Sequence, residues 1–167
     1  MENINNTVTA IGANDGDSLS VAGGNYRILI SGKQTGGAFA VIDMLIPPGS
    51  GPGPHAHAAF QESFFVVDGE VEVKSEAGTY VAKKGAFVSI PLGGMVHCFK
   101  NISAQAAHLL CTVVPSGLEE MFEELGKPVS PGVFLPPPPM DDATLNKMRE
   151  IAEKYGQKLY PPNYFDK

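Results

Sequence analysis

His55-Ala-His57-Ala-Ala-Phe-Gln-Glu62 is the stretch that decides the fold of this chain. Side chains alternate between the two faces of a strand, so His55 and His57 point the same way and can reach one ion together. Glu62 follows a break in this alternation and opens Glu-Ser-Phe-Phe-Val-Val, a run that is typical of a buried strand. Two imidazoles and one carboxylate at this spacing predict a metal site.

A second stretch, which runs from Gly85 to Asn101, supplies a third histidine, His97. The chain has four histidines, and three of them lie in these two stretches. Between the stretches, Asp68-Gly69 is the strongest hairpin signal in the sequence. Three nitrogen ligands and one carboxylate suit one divalent transition metal, Mn, Fe, Co, Ni, Cu or Zn, and ligand type alone does not choose among these ions.

The spacing of both stretches resembles the two motifs of the cupin superfamily, over residues 25–115. The first motif matches in every fixed position, and the second has one extra residue between Gly93 and His97. The matching patterns are Gly49-(x5)-His55-x-His57-(x4)-Glu62-(x6)-Gly69 and Gly85-(x5)-Pro91-x-Gly93-(x3)-His97-(x3)-Asn101. This resemblance implies an all-β fold, an antiparallel cupin β-barrel of the jelly-roll type, with a metal held inside on His55, His57, Glu62 and His97.

Two alternatives to this ligand set stay open. A cupin barrel can keep all four residues and bind no metal. Gln61 competes with Glu62 because the motif tolerates three or four residues before its carboxylate. Glu62 is favoured, since it has the motif's spacing to Gly69 and a charged oxygen binds a divalent ion better than an amide does.

Composition and length predict one compact domain with a tail. The chain has 167 residues, of which 43% are hydrophobic. We expect a polar N-terminal segment over 1–24 with an edge strand at 7–11, the barrel over 25–115, and a helical, Pro-rich tail over 116–167 that packs on the barrel. A run of about 18 apolar residues and a secretory signal are both missing, so a cytoplasmic protein without membrane contact is expected.

The net charge of −6 argues against nucleic acid as a partner, because phosphate contacts need a positive surface. Cys98 and Cys111 are the two cysteines, and both lie within apolar strand patterns. Buried free thiols are commoner there than a disulfide or a catalytic pair.

Short strands separated by turn residues fill the middle of the chain, and helices follow. A hairpin is predicted from 26–31 and 38–46, with further strands at 62–67, 70–75, 79–82, 86–90, 96–101 and 107–114. A capping box at Ser116–Glu119 opens a helix that stops at Gly126, and a second helix covers 142–155. Residues 136–139 predict an extended polyproline spacer. This order of tail elements is similar to that of single-domain bacterial cupins related to quercetin dioxygenases.

The subfamily resemblance implies a dioxygenase that acts on a small flavonol-like or enolic aromatic substrate with dioxygen. Glu62 would be both metal ligand and general base, since an ion with three neutral histidines and one carboxylate favours an anionic substrate oxygen. The alternatives are a metal-bound binding or sensor barrel without turnover, or a metal-assisted isomerase or hydrolase that does not use dioxygen. Whether the protein is an enzyme is therefore open.

The pocket beside the metal is predicted to be apolar, which favours a small hydrophobic or aromatic substrate. Phe64 shares a face with Glu62, and Phe99 shares one with His97. These two residues and Met44, the third predicted pocket residue, each also suit a core position. His108 is predicted to be a non-catalytic strand residue, because nothing near it in the sequence orients or charges it. A homodimer is expected from the resemblance.

Overall fold

The computed structural model describes residues 7–166, which form two antiparallel sheets and three helices. The helices are α1 (Gly32–Thr35), α2 (Leu118–Leu125) and α3 (Asp142–Lys154). The strands are β1 (Ser18–Val21), β2 (Gly24–Ile30), β3 (Ala40–Ile46), β4 (His55–His57), β5 (Gln61–Asp68), β6 (Glu70–Ser75), β7 (Gly78–Lys83), β8 (Phe87–Ile90), β9 (His97–Lys100), β10 (Ala107–Val114), β11 (Lys127–Val129) and β12 (Gln157–Leu159). The antiparallel, β-rich class and the two C-terminal helices are confirmed.

The core lies between the two sheets. One sheet has seven strands in the order β11-β1-β2-β3-β10-β5-β8, and the other has five in the order β12-β4-β9-β6-β7. Alternation along β3 buries Ile42, Met44 and Ile46. Phe64 of β5 meets Phe99 of β9 with ring centroids 5.4 Å apart, so aromatic contacts join the two sheets.

The strands predicted between 62 and 114 are confirmed, each within one residue at either end. The predicted hairpin is the β2–β3 pair, and its connection contains α1. The edge strand predicted at 7–11 is wrong. The strand instead forms at Ser18–Val21, where Ala22 and Gly23 both have positive φ and turn the chain directly into β2.

The capping box predicted at Ser116 is also wrong. Gly117 is the N-cap residue of α2, and the buried Glu119 carboxylate accepts from the backbone N–H groups of Gly117 at 2.8 Å and Gly32 at 2.7 Å. Glu119 therefore ties α2 to α1, which lies 87 positions earlier in the chain. The second helix is confirmed as α3, whose N-cap Asp141 accepts from the N–H of Thr144.

The tail also contributes two strands that the sequence did not indicate. β11 pairs with β1 at the edge of the larger sheet, and β12 pairs with β4 at the edge of the smaller one. The two sheets thus extend beyond residues 25–115. Residues 136–139 form neither helix nor strand. Within residues 7–166, no helix combines the length and apolar character needed to cross a bilayer.

Candidate metal centre

Three strands from both sheets bring the predicted ligands together. His55 and His57 lie on β4, and His97 lies on the neighbouring β9, directly opposite His55. Glu62 comes from β5 in the other sheet. All four side chains are buried, and their ligand atoms lie within 4.8 Å of one another.

Two of the imidazoles face the same oxygen of Glu62. Its Oε2 lies 3.2 Å from His57 Nε2 and 3.5 Å from His97 Nε2. The His55 and His57 rings lie 4.3 Å and 4.8 Å from the His97 ring, between centroids. The four groups thus surround one small volume at the interface of the two sheets.

The Nδ1 atoms of the three histidines show which nitrogen faces this volume. Each lies within hydrogen-bond distance of a backbone carbonyl: His55 with Gly53 at 2.9 Å, His57 with Phe60 at 3.0 Å, and His97 with Met95 at 2.9 Å. Because a carbonyl only accepts, each Nδ1 donates its proton. A neutral imidazole then presents the lone pair of Nε2, as metal-binding histidines do.

Two further observations fit a cation at this point. Among the described residues, the buried His97 Nε2 has no hydrogen-bond partner. His57 Nε2 and Glu62 Oε2 are 3.2 Å apart, and two lone-pair atoms repel at that distance unless a proton or a metal ion lies between them. Three imidazoles and one carboxylate suit a divalent first-row metal ion.

The electrostatics leave His55 and Glu62 in the forms that bind metal. Burial, followed by the neighbouring His97, lowers the pKa of His55 to about 4, so this imidazole is neutral at pH 7. Burial alone would raise the pKa of Glu62. Its contacts with His57 and His97 outweigh burial and hold that pKa well below its usual value, so the carboxylate is ionised.

Gln61 does not join this group. Its side chain is exposed and donates to Ser89 Oγ at 3.1 Å, on the opposite face of β5 from Glu62. Met44, Phe64 and Phe99, the predicted pocket residues, are buried in the hydrophobic core. Their role in lining a substrate pocket stays a prediction.

His108 lies away from the centre, on the outer face of the larger sheet, where Asp43 orients it. Its Nε2 contacts Asp43 Oδ1, and Asp43 Oδ2 accepts from Arg27 at 2.8 Å. The expectation concerned the residues near His108 in the sequence. The residue that orients it, Asp43, lies 65 positions earlier in the chain. A non-catalytic role for His108 stays a prediction.

Sequence reasoning missed two groups beside Glu62. The Cys111 thiol lies 3.4 Å from Glu62 Oε1, and burial and that carboxylate raise the pKa of Cys111 well above its usual value. Burial, then Glu62 and Cys111, raise the pKa of Tyr26 as well. Both cysteines are free thiols, as expected, but Cys98 is only partly buried. Only the pairing of β10 with β5 places Cys111 beside Glu62.

Comparison with known proteins gives a family match across the centre. Residues 42–113, which include all four candidate ligands, match the family described as Cupin domain. Over 120 residues the chain is 25% identical to quercetin 2,3-dioxygenase of Bacillus subtilis (strain 168), covering 72% of this chain and 35% of that protein. The chain thus spans about a third of the length of the curated relative that it matches.

Solved structures share the fold at lower identity. The cupin domain of Schizosaccharomyces pombe Cnp3 is 24% identical, with a TM-score of 0.52 over 65% of this chain and 76% of that one. The polyketide cyclase RemF from Streptomyces resistomycificus is 17% identical, with a TM-score of 0.57 over 66% of this chain and 81% of that one.

Proposed function

We propose that this chain, a member of the cupin superfamily, is a metal-dependent dioxygenase that acts on a small flavonol-like or enolic aromatic substrate. His55, His57, Glu62 and His97 would hold one divalent transition-metal ion, inside a jelly-roll barrel formed by the two sheets. The observation that carries the proposal is that these four buried residues each bring one ligand atom to within 4.8 Å of the others.

A bound divalent ion would supply a positive charge that stabilises an anionic substrate oxygen. Within the chain, the Glu62 carboxylate would take the proton from a substrate hydroxyl, which a bound divalent ion would make more acidic. The imidazoles are fixed in orientation by the three backbone carbonyls. Met44, Phe64 and Phe99 would exclude water and contact the apolar part of the substrate.

The charge distribution supports an uncharged aromatic substrate over a phosphorylated one. The two arginines are Arg27 and Arg149. Arg27 is paired with Asp43 on the outer face of the larger sheet, and Arg149 lies on α3. Arg149 is exposed to solvent. The quercetin 2,3-dioxygenase match supports an aromatic enol as the substrate class and dioxygen as the second reactant.

A second candidate function is metal-assisted chemistry without dioxygen, such as an isomerisation or hydrolysis, or small-molecule binding without turnover. A polyketide cyclase shares this fold, so the fold alone does not select the dioxygenase. A cytoplasmic location and a homodimer are also part of the proposal, and the mass of the native protein in solution tests the homodimer.

Oxygen consumption separates these candidates. The protein is loaded separately with Mn, Fe, Co, Ni and Cu, and each form is given a panel of flavonols and enediols. The proposal expects at least one form to consume oxygen in proportion to substrate loss. If no metal form consumes oxygen with any of these substrates while the metals are bound, the dioxygenase is excluded and the second candidate stands.

Glu62→Gln tests the role of this residue as a base. The amide still offers an oxygen but takes up no proton, so turnover should fall by about a hundredfold or more, well beyond the loss of metal content. Gln61→Ala, on the exposed face of the same strand, is the matched control and should change neither. Equal losses of metal and turnover in Glu62→Gln would leave Glu62 a ligand only.

A further inference from the structure

The two oxygens of Glu62 have different neighbours. Oε2 faces His57 Nε2 and His97 Nε2 at 3.2 and 3.5 Å. Oε1 lies 3.4 Å from Cys111 Sγ, within range of a hydrogen bond to sulfur. A carboxylate oxygen does not donate, so the thiol proton makes this contact.

Strand register brings Cys111 to this position. On the adjacent strands β10 and β5, Val113 lies opposite Glu62 and Cys111 lies opposite Phe64. Cys111 and Glu62 are therefore diagonal neighbours on the same, inward face of the sheet. Cys111 is fully buried, and Glu62 is nearly so. Water therefore has little access to compete for Oε1.

We infer that Cys111 is a positioning residue for Glu62: its thiol holds Oε1, and this turns Oε2 toward the nitrogen atoms of the histidines. The inference rests on the proposed function, because it takes Glu62 to be a metal ligand. A carboxylate without this donor can rotate about its terminal bond and present either oxygen to the histidines. With the donor in place, one oxygen is assigned to the metal side and the other is held away from it.

The Cys111 thiol directs Glu62 through a weak hydrogen bond. A thiol is a weaker donor than a hydroxyl, so it directs the carboxylate while withdrawing less electron density from it.

Cobalt binding to the whole chain tests this inference without any activity assay. The d–d absorption of Co²⁺ reports the geometry of the oxygen and nitrogen ligands, and its titration gives the affinity. Cys111→Ala removes the donor and should weaken Co²⁺ binding by about tenfold or more and change the d–d spectrum, as loss of a group that orients a ligand does. Cys111→Ser restores a donor and should keep the affinity within about threefold of the parent.

Cys98→Ser is the matched control, because it makes the same chemical change at a partly buried thiol that does not contact Glu62. It should alter neither affinity nor spectrum. Thermal unfolding in the presence of chelator measures the packing cost of each substitution separately from metal binding.

Three results overturn the inference. In the first, Cys111→Ala lowers the unfolding temperature of the metal-free protein but leaves the Co²⁺ affinity and spectrum unchanged, which makes the residue core packing only. In the second, the parent shows a thiolate-to-cobalt band that Cys111→Ser loses, which makes the sulfur a ligand. In the third, the parent binds no Co²⁺, which overturns the proposed function as well; the first two leave that function intact.

Discussion

At the scale of single residues, the orientation of the histidines is set by nearby backbone. The carbonyls that accept from the three Nδ1 atoms belong to Gly53, Phe60 and Met95, each only two or three positions from its histidine. Each short segment therefore carries both the ligand and the group that selects its tautomer. This locality explains why sequence motifs of a few residues indicated the four side chains that the structure brings together.

The depressed pKa of His55 predicts a pH dependence of stability in the metal-free protein. The unfolded chain binds a proton at His55 near pH 6.5, whereas the buried imidazole does so only near its folded pKa of about 4. The unfolded state thus binds more protons between these values. The free energy of unfolding should fall as pH drops from about 6.5 to about 4, with up to about 3 kcal/mol due to this residue.

Urea denaturation in chelator at several pH values between 7 and 4 measures this effect. His55→Gln is the comparison, because it removes the titrating group and keeps a polar side chain of similar size. Its stability should depend less on pH over the same interval. Parallel pH profiles for the two proteins would contradict the assignment.

At the scale of elements, the Pro- and Gly-rich loop before His55 is anchored to the end of β9. Gly49 N–H donates to the Asn101 carbonyl at 2.9 Å, and Asn101 N–H donates to the Ser50 carbonyl at 2.8 Å. Gly51 has φ of +152°, and a Cβ there would lie 2.0 Å from the Phe99 carbonyl oxygen. The loop thus joins the strand of His97 to the strand of His55 and His57.

Gly51→Ala should therefore destabilise the protein by about 2 to 4 kcal/mol, because the backbone must shift to relieve the contact. Gly53→Ala is the matched control in the same loop. A Cβ at Gly53 meets nothing within 4 Å, so this change should have little effect. Chemical denaturation measures both, and equal costs at the two positions would show that close packing at Gly51 does not matter.

β12 is the second element that supports the centre. It pairs with β4 so that Gln157 lies opposite His57 and Leu159 opposite His55, and Tyr160 N–H donates to the Pro54 carbonyl at 2.9 Å. β4 is only three residues long, and β9 flanks its other side. Without β12, the histidine strand would become the edge strand of its sheet, paired with β9 alone.

A chain that ends at Gly156 should consequently bind metal at least about tenfold more weakly than the full chain, a loss of about 1.4 kcal/mol. A chain that ends at Pro162 keeps β12 and the Tyr160 contact, and it is the control. Co²⁺ titration compares the three proteins. If both truncated chains bind as tightly as the full chain, β12 contributes nothing to the centre.

At the scale of the whole molecule, the candidate ligands connect the two sheets. Glu62 comes from the seven-stranded sheet, and the three histidines come from the five-stranded one. A metal ion bound by all four would link the two halves of the core. Such binding to the folded state alone stabilises the entire domain by mass action.

Free metal at a hundred times its dissociation constant should therefore add about 2.7 kcal/mol to the free energy of unfolding and raise the unfolding temperature by about 5 to 10 °C. Thermal unfolding with and without Co²⁺ measures the shift. The unfolding temperature of His57→Ala is also measured with and without Co²⁺, and Co²⁺ should raise it hardly at all. An equal shift in this variant would place the stabilising metal at another site.

The sequence by itself determined the strands from 62 to 114, both C-terminal helices and the four candidate ligands. These features depend on alternation, turn residues and spacing within short segments. Such signals can be recognised without knowing how distant parts of the chain pack. The same local reasoning failed at the start of the chain, where a short polar strand, β1, is stabilised by its partners β2 and β11.

Only the tertiary structure decided the contacts between distant segments. Cys111 reaches Glu62 across 49 positions, Asp43 reaches His108 across 65, and β12 comes from the tail to cover the histidine strand. Each of these depends on which strands pair and in which register, and a shift of one residue would turn every side chain to the other face. Register is set by the packing of the whole core, so local sequence patterns do not contain it.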